Sequence, residues 1–390
     1  MNPSDHPIRY KPAISAEVFV FLAAFVGFFL LFTTRMGLSN ALSTMMNTAF
    51  DLLINTVLYL TAICVLMGAI SALFSEFGLV TLVDFLLRPL MRPVWGLPGA
   101  ASLAIVSTFL SDNPAVLSLA DNAYYRHFFK KYQFPALTNI GTAFGMGLIV
   151  CTFMLSMSIR TGQSYGMPVA VGFAGAVVGS IVSTRLMLLF SKKVYGPDAP
   201  AGEKAESDYD ERLRPVRSGS VAARVVGAML DGGESGVRMG ISIVPGVLLI
   251  CTLVMMLTNG TSDAGVYTGA AYEGIELLPR AAERMSFLLN PLFGFTSSAC
   301  IGVPVTALGA AAAAIVLVPD LLLTGKAGAN DVAVFTAMCM CWSGYLSTHV
   351  SMMASLHCDE LTGKSILSHT VGGLFAGVFA HYAYLLLAML

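Results

Sequence analysis

GLPGAASLAIVSTFLSDNPAVLSLADN, Gly96 to Asn122, is the stretch whose reading decides the fold. Two apolar arms of about 12 to 14 residues flank Ser111-Asp112-Asn113-Pro114. A membrane-crossing helix needs ~20 apolar residues at 1.5 Å rise each, so neither arm reaches across. Proline removes an N–H donor, and Asp and Asn bond their own backbone, so the chain turns there. The expectation is a helical hairpin that enters the membrane, turns at depth and leaves on the same side. A polar elbow survives at that depth only when buried in protein or facing a wet cavity.

Working outward, the same signature recurs. Pro93-Val94-Trp95-Gly96 opens the first hairpin, and Pro291-Leu292-Phe293-Gly294 opens a second, Gly294 to Pro319, with its turn expected at Ser297 to Pro304. Composition supports a membrane setting: 56% of the 390 residues are hydrophobic and only 12% charged, where soluble domains carry about 25% charge. A net charge of −1 speaks against nucleic acid as a partner. The seven cysteines form no C-x-x-C pair and read as small buried hydrophobes.

In chain order, Glu17 to Thr34 reads as an uncleaved first helix and Phe50 to Leu73 as a second span. From Leu79 to Pro93, Thr81, Asp84, Arg88 and Arg92 make one polar stripe, with Asp84 and Arg88 able to pair at i,i+4, which predicts a helix lying in the interface. An aromatic and basic belt, Tyr124 to Lys131, follows the hairpin. Phe134 to Ser158 is an interrupted span and Val169 to Phe190 a continuous one. After a hydrophilic linker the order repeats: Val237 to Thr258 spans, Tyr272 to Leu289 carries Glu273, Glu276, Arg280 and Glu283 on a stripe, and the second hairpin follows. Val332 to Ser355 is interrupted at Ser343-Gly344 and Ser347-Thr348-His349, and Ile366 to Leu390 closes the chain. His357 to Glu360 are consecutive and read as a loop, since adjacent helical residues cannot face one ion.

The fold expected is an all-α polytopic membrane protein of two repeats, each with an interfacial helix, a re-entrant hairpin, an interrupted helix and spanning helices. Three crossings per repeat is odd, so the second repeat is expected inverted. The divisions are 1–49 (tail and first helix), 50–191 (first repeat), 192–236 (cytoplasmic linker) and 237–390 (second repeat). Basic residues at Arg88/Arg92, Arg126–Lys131 and the linker place those loops and the N-terminus in the cytoplasm of a multi-pass inner or plasma membrane protein, although Arg35 and Arg160 fall on the other side.

Inverted repeats with broken helices meeting at the midplane are how secondary transporters build a site. The order of elements over 50–390 is similar to the concentrative nucleoside transporter fold. Leu97-Pro98-Gly99 followed by Pro114-Ala115-Val116 resembles the gate, or nucleoside-recognition, domain shared by spore-maturation-type membrane proteins and B-type ferrous-iron transporters. Where the iron transporters carry Gly-Cys-Asn, this chain has Ser111-Asp112-Asn113. The Gln-Thr-Glu type signature of nucleoside transporters is absent, and no acid lies between Gly294 and Pro319. The resemblance implies the fold and a transport class and does not supply the substrate; the function expected is a non-enzymatic carrier working by alternating access on a small polar organic solute, nucleoside-like in class. It implies no cofactor, Na+ or H+ as the coupling ion, and room for a homo-oligomer in the bilayer. A second reading is a non-transporting gate-domain protein in envelope or spore assembly, with the charged linker as its partner surface.

Asp112 is the candidate coupling or binding carboxylate, since an ionised group at the bilayer centre costs about 2.5–3.5 kcal/mol on insertion scales; capping the second arm is its plainer role. Ser111 and Asn113 flank it. Ser297 and Ser298, with Thr296, are expected at the second tip. Asn139 and Thr142 in the first interrupted span, and Ser343, Thr348 and His349 in the second, are expected to face the tips, against a plainer role as helix–helix glue. His349 is also a candidate proton carrier. No metal site, P-loop or nucleophile–base set is present.

Overall fold

The computed structural model describes residues 12–120, 123–201, 216–261 and 265–389, and all its regular elements there are helices. The tail before residue 12, the hairpin end at Asp121 and Asn122, linker residues 202–215 and Leu390 lie outside the described residues. Six helices are long and apolar enough to cross a membrane, and two bent pairs add apolar length, which makes this a multi-pass membrane protein.

Helix α1 (Ala16–Met36) is followed by α2 (Leu38–Glu76), which starts well before the expected Phe50. Its 39 residues reach about 58 Å, twice the ~30 Å hydrocarbon core, so one end must project or the helix must tilt. The early turns are polar and dock on a loop: Asn40 and Asn47 donate to the carbonyls of Tyr267 and Gly269, and the Thr48 hydroxyl accepts the Tyr272 N–H at 2.8 Å. A π-helical stretch, Leu52–Val57, interrupts its α-helical hydrogen bonding.

Helix α3 (Leu79–Trp95) ends at Gly96, φ 80°, a left-handed position that suits glycine. The chain turns by 110° into α4 (Gly99–Leu110), breaks at 111–114, and resumes as α5 (Ala115–Ala120). Helix α6 (Ala136–Thr142) stops at a kink over 143–146, where Met146 has φ 55°, and α7 (Gly147–Thr161) continues. Helix α8 (Gly166–Tyr195) closes this half.

Helix α9 (Val221–Thr258) replaces the expected Val237 start, so the stretch between long helices shrinks to 196–220. The hydrophilic look of its first turns concealed a packing seam. A Cβ on Gly68 would lie 2.3 Å from the Gly232 carbonyl, and one on Gly236 would lie 2.3 Å from the Cys64 carbonyl. Glycines let two backbones touch, and the registers Gly68–Gly232, Cys64–Gly236 and Thr61–Gly240 run antiparallel. Arg217 and Arg224 clamp one end of this pair, both bonding the Glu76 carboxylate at 2.7 Å.

The next helix starts at Leu277, not Tyr272. Helix α10 (Leu277–Arg284) and α11 (Ser286–Phe293) are separated at Met285, and Glu273 leaves the expected stripe to staple the preceding loop. Arg280 and Glu276 do pair, at 3.0 Å. After Gly294, φ 58°, the chain bends by 78° into α12 (Ser298–Gly309). The break then falls at Ala310, not at Ser297–Pro304, and α13 (Ala311–Val316) follows. Pro304 does not break the helix: it is the third residue of the α-helical part, Gly302–Gly309, just after the 3-10 turn Ser298–Ile301. Helix α14 (Val318–Leu323) leads to α15 (Ala329–Trp342). That helix stops at Ser343 and Gly344, φ 37° and 71°, and α16 (Tyr345–Ser355) resumes. Helix α17 (Thr362–Ala388) ends the fold, packed antiparallel on α8 with Gly175 against Ala380 and Gly179 against Gly372. His357–Glu360 are a turn, as expected, and Glu360 accepts the Tyr195 hydroxyl.

Candidate functional site

The break at 111–114 sits where both interrupted helices are interrupted. Pro114 supplies no N–H, and the free end of α4 is bonded by the Ser71 hydroxyl on the Leu110 carbonyl at 3.2 Å. From this tip, Asn113 reaches across 230 positions of chain: its Nδ2 donates to the Ser343 carbonyl at 2.7 Å and lies 3.4 Å from the Thr348 hydroxyl. Ser343 in turn donates its hydroxyl to the Gly145 carbonyl at 3.0 Å, and the Met146 N–H bonds the Ser111 carbonyl at 3.2 Å. One tip thus ties together the kinks of α6–α7 and α15–α16.

Gly145 is what allows this. A Cβ there would stand 1.5 Å from Asn113 Oδ1 and 2.7 Å from Ser343 Oγ, so no other residue fits without displacing the tip. On the other side of Ser343, the Gly344 N–H donates to the Ala307 carbonyl at 2.9 Å, and a Cβ on Gly344 would stand 2.9 Å from the Gly309 carbonyl. The second break therefore meets the kink through a backbone hydrogen bond.

The expected residues sort into three groups. Asn113, Ser343 and Thr348 come together at the kinks, with Ser111 beside them. Ser111 is exposed to a cavity of about 540 Å³ whose polar wall includes Ser71, Ser107, Ser235 and Asp231. Asp112 stays on its own tip, half-buried, accepting the Asn113 N–H at 2.7 Å. Its carboxylate bonds the N–H of its own neighbour, and the amide beside it makes the crossing contact.

A second group lies deeper. Asn139 is fully buried and donates Nδ2 to the hydroxyls of Ser183 at 2.8 Å and Ser368 at 3.0 Å, while its Oδ1 accepts from Ser365 at 2.8 Å. Ser183 continues to His369 Nδ1 at 2.8 Å, and His369 Nε2 donates to the Cys341 carbonyl at 2.6 Å. The His349 ring lies 4.6 Å from that of His369 and 5.5 Å from Tyr345, and neither of its nitrogens has a hydrogen-bond partner among the described residues. Thr142 faces Met352 at 4.0 Å. Ser183, Ser365, Ser368 and His369 escaped the sequence reading, because each lies in or beside a span taken as apolar. Their signal was present: Ser365, Ser368 and His369 stand at i, i+3 and i+4 on one helical face, as do Ser180, Ser183 and Thr184.

The third group is a correction. Ser297 and Ser298 are not at a hairpin tip but at the start of α12, eleven or more residues before the break. Ser298 bonds Glu283 at 3.3 Å, and Thr296 bonds Asp331 through its N–H at 3.1 Å and its hydroxyl at 2.5 Å. The residues at the second break are Gly309 and Ala310, which carry no polar side chain.

With this geometry in view, comparison with known proteins becomes informative. Residues 53–184, about a third of the chain, match the model of the Gate family, described as nucleoside recognition. Among solved structures, the chain is similar to CNTnw in an inward-facing substrate-bound state, at 16% identity and TM-score 0.51 over 82% of this chain and 74% of that one. It is also similar to a doubly substituted CNTnw in an outward-facing state, at 14% identity and TM-score 0.53 over 95% and 85% of the two chains. At such identity the likeness is one of fold. An uncharacterized protein of Alkalihalophilus pseudofirmus is 23% identical over 222 residues, 54% of this chain and 46% of the relative, so the match spans about half of that protein's length.

Proposed function

We propose that this chain is a secondary membrane carrier for a small polar organic solute, nucleoside-like in class, working by alternating access. The observation that carries the reading is the convergence of the 111–114 tip, through Asn113, on the kinks of two interrupted helices. Such kinks present backbone N–H and carbonyl groups at membrane depth, held here by the tip and open to a polar solute once the tip moves away. The adjoining cavity of about 540 Å³ lies within the range of small-molecule sites, and its serine-rich wall suits a hydroxylated solute. The Gate match covers this tip and the first kink, and the fold likeness is to a concentrative nucleoside transporter.

The two halves, 50–191 and from about 221 onward, are read as inverted copies. The support is that corresponding helices, α2 with α9 and α8 with α17, pack antiparallel. On this reading 96–122 and 294–319 are re-entrant hairpins and the N-terminus is cytoplasmic. Asp112 is the carboxylate that couples H+ or Na+, held at the tip whose amide does the docking.

The test is uptake into liposomes by purified full-length protein, with a panel of nucleosides, amino acids and organic acids, with and without sodium or a pH gradient. Saturable, gradient-driven uptake of one solute class is expected, losing its gradient dependence in Asp112→Asn. No flux of any panel member would remove the carrier reading, and gradient-dependent flux in Asp112→Asn would remove the residue from the coupling role.

A further inference from the structure

The two interfacial helices turn into their hairpins through corresponding stretches, but the space under the turn is filled in one half and open in the other. In the first half Asp84 is 1% exposed, bonds Arg88 at 2.8 Å and accepts the Ser102 hydroxyl at 2.5 Å. The Arg88 side chain lies over Gly99, where a Cβ would meet the Arg88 Cβ at 3.4 Å. With Leu79 aligned on Leu277 and Gly96 on Gly294, the counterparts of Asp84, Arg88, Gly99 and Ser102 are Ala282, Ser286, Ser297 and Cys300. Both charged chains are missing, and a cavity of about 240 Å³ lies there, lined in part by Glu283, Ser286, Asn290, Thr296, Ser297 and Ser298.

The wall of this cavity is made for a cation. Glu283 accepts only the Ser298 hydroxyl, at 3.3 Å, and pairs with no cation among the described residues. Behind Thr296 stands Asp331, fully buried, which accepts the Thr296 N–H and hydroxyl and the Gly328 N–H at 2.8 Å. No Lys or Arg pairs with Asp331 among the described residues, whereas buried Asp84 has Arg88. Asp331 is satisfied by these donors and lies outside the cavity lining, so the carboxylate that faces a ligand is that of Glu283. Around the opening, Ser, Thr and Asn oxygens can accept from a ligand that brings several donors and no acceptor, which is the hydrogen-bonding character of guanidinium.

We propose that this cavity binds a small guanidinium compound, which takes in the second half the place that Arg88 takes in the first. The site is separate from the Asn113 docking point, so it stands whether or not the chain is a carrier. The experiment is calorimetric titration of the full-length protein in lipid nanodiscs with methylguanidinium, using methylurea as the neutral isostere. Saturable binding of methylguanidinium in the millimolar range is expected, with none for methylurea. Glu283→Gln should weaken it tenfold or more, and Glu283→Asp, which keeps the charge, should weaken it less. Ala282→Asp with Ser286→Arg rebuilds the first half's pair inside the cavity and should abolish binding, with an unchanged thermal midpoint to show that the protein is folded. Equal binding of methylurea, absence of saturation, or full affinity in both Glu283→Gln and the double variant would overturn the proposal.

Discussion

The two breaks, at Ser111–Pro114 and at Gly309–Ala310, meet the same kink by different means. The first is polar and sends a side chain, Asn113, onto the Ser343 carbonyl. The second is bare and touches Gly344 through its own backbone, Ala307 accepting the Gly344 N–H at 2.9 Å. A side-chain contact can be tuned or titrated residue by residue; a backbone contact fixes only geometry. The first contact therefore rests on one side-chain amide, and the second on backbone geometry.

That division can be broken most severely at Gly145. Gly145→Val puts bulk where a Cβ already falls 1.5 Å from Asn113 Oδ1. Overpacking of this kind costs about 1–3 kcal/mol, and the tip should be expelled from the kink. A lowered thermal midpoint with loss of uptake is expected; wild-type stability would show that the tip does not dock there. Next in size is Asn113→Ala, which leaves the Ser343 carbonyl without its donor at a cost of about 1–3 kcal/mol. Chemical unfolding in detergent reads this, and the matching change Ala310→Gly, which removes one methyl and no hydrogen-bonding side chain, should cost less than Asn113→Ala.

Asp112→Asn sharpens the same comparison, because it tests chemistry without removing the contact. Stability should change by no more than about 0.5 kcal/mol, as for a substitution away from buried networks. The gradient dependence of uptake should disappear, read as equal initial rates with and without the ion gradient. A large loss of stability would instead assign Asp112 a purely structural role.

The smallest effect concerns how each half enters its interfacial helix. The first does so in two residues, Phe77 and Gly78, and the second through a longer stretch whose described residues 265–276 are pinned by Glu273. Burial pushes the Glu273 carboxyl up, but the N–H groups of Thr268 and Gly269 and the hydroxyls of Thr268 and Thr44 outweigh it and hold it below its ordinary 4.5. A depressed carboxyl contributes stability that is present above 4.5 and lost as pH falls through the folded value. The wild-type thermal midpoint should thus drop more steeply below pH 4.5 than that of Glu273→Gln; parallel curves would contradict it.

Much of this was legible in the residues. Pro114 with Asp112 and Asn113 announced the first break, and Ser343-Gly344 the second kink, because each breaks helical hydrogen bonding by local chemistry. The Asp84/Arg88 and Glu276/Arg280 pairs followed from spacing alone. The break at Ala310 was not legible: it lies in a run of alanines, extended at φ −160°, and only tertiary packing makes it turn. Ser297 and Ser298 looked like a tip because serine and proline mark turns, yet Pro304 sits where a helix tolerates it. Gly232 and Gly236 read as linker because glycine signals flexibility in sequence and close approach in a membrane pair. Asn113 rather than Asp112 makes the crossing contact, a choice between neighbours that spacing cannot resolve.

The claim that the first tip seats on the opposite kink can be tested directly by oxidative cross-linking of Asn113→Cys with Ser343→Cys in native membranes, against each single variant as background. The account predicts a disulfide in the double variant only, with uptake blocked while it is oxidised and restored by reductant. Absence of the cross-link, or full uptake in the cross-linked protein, would contradict it.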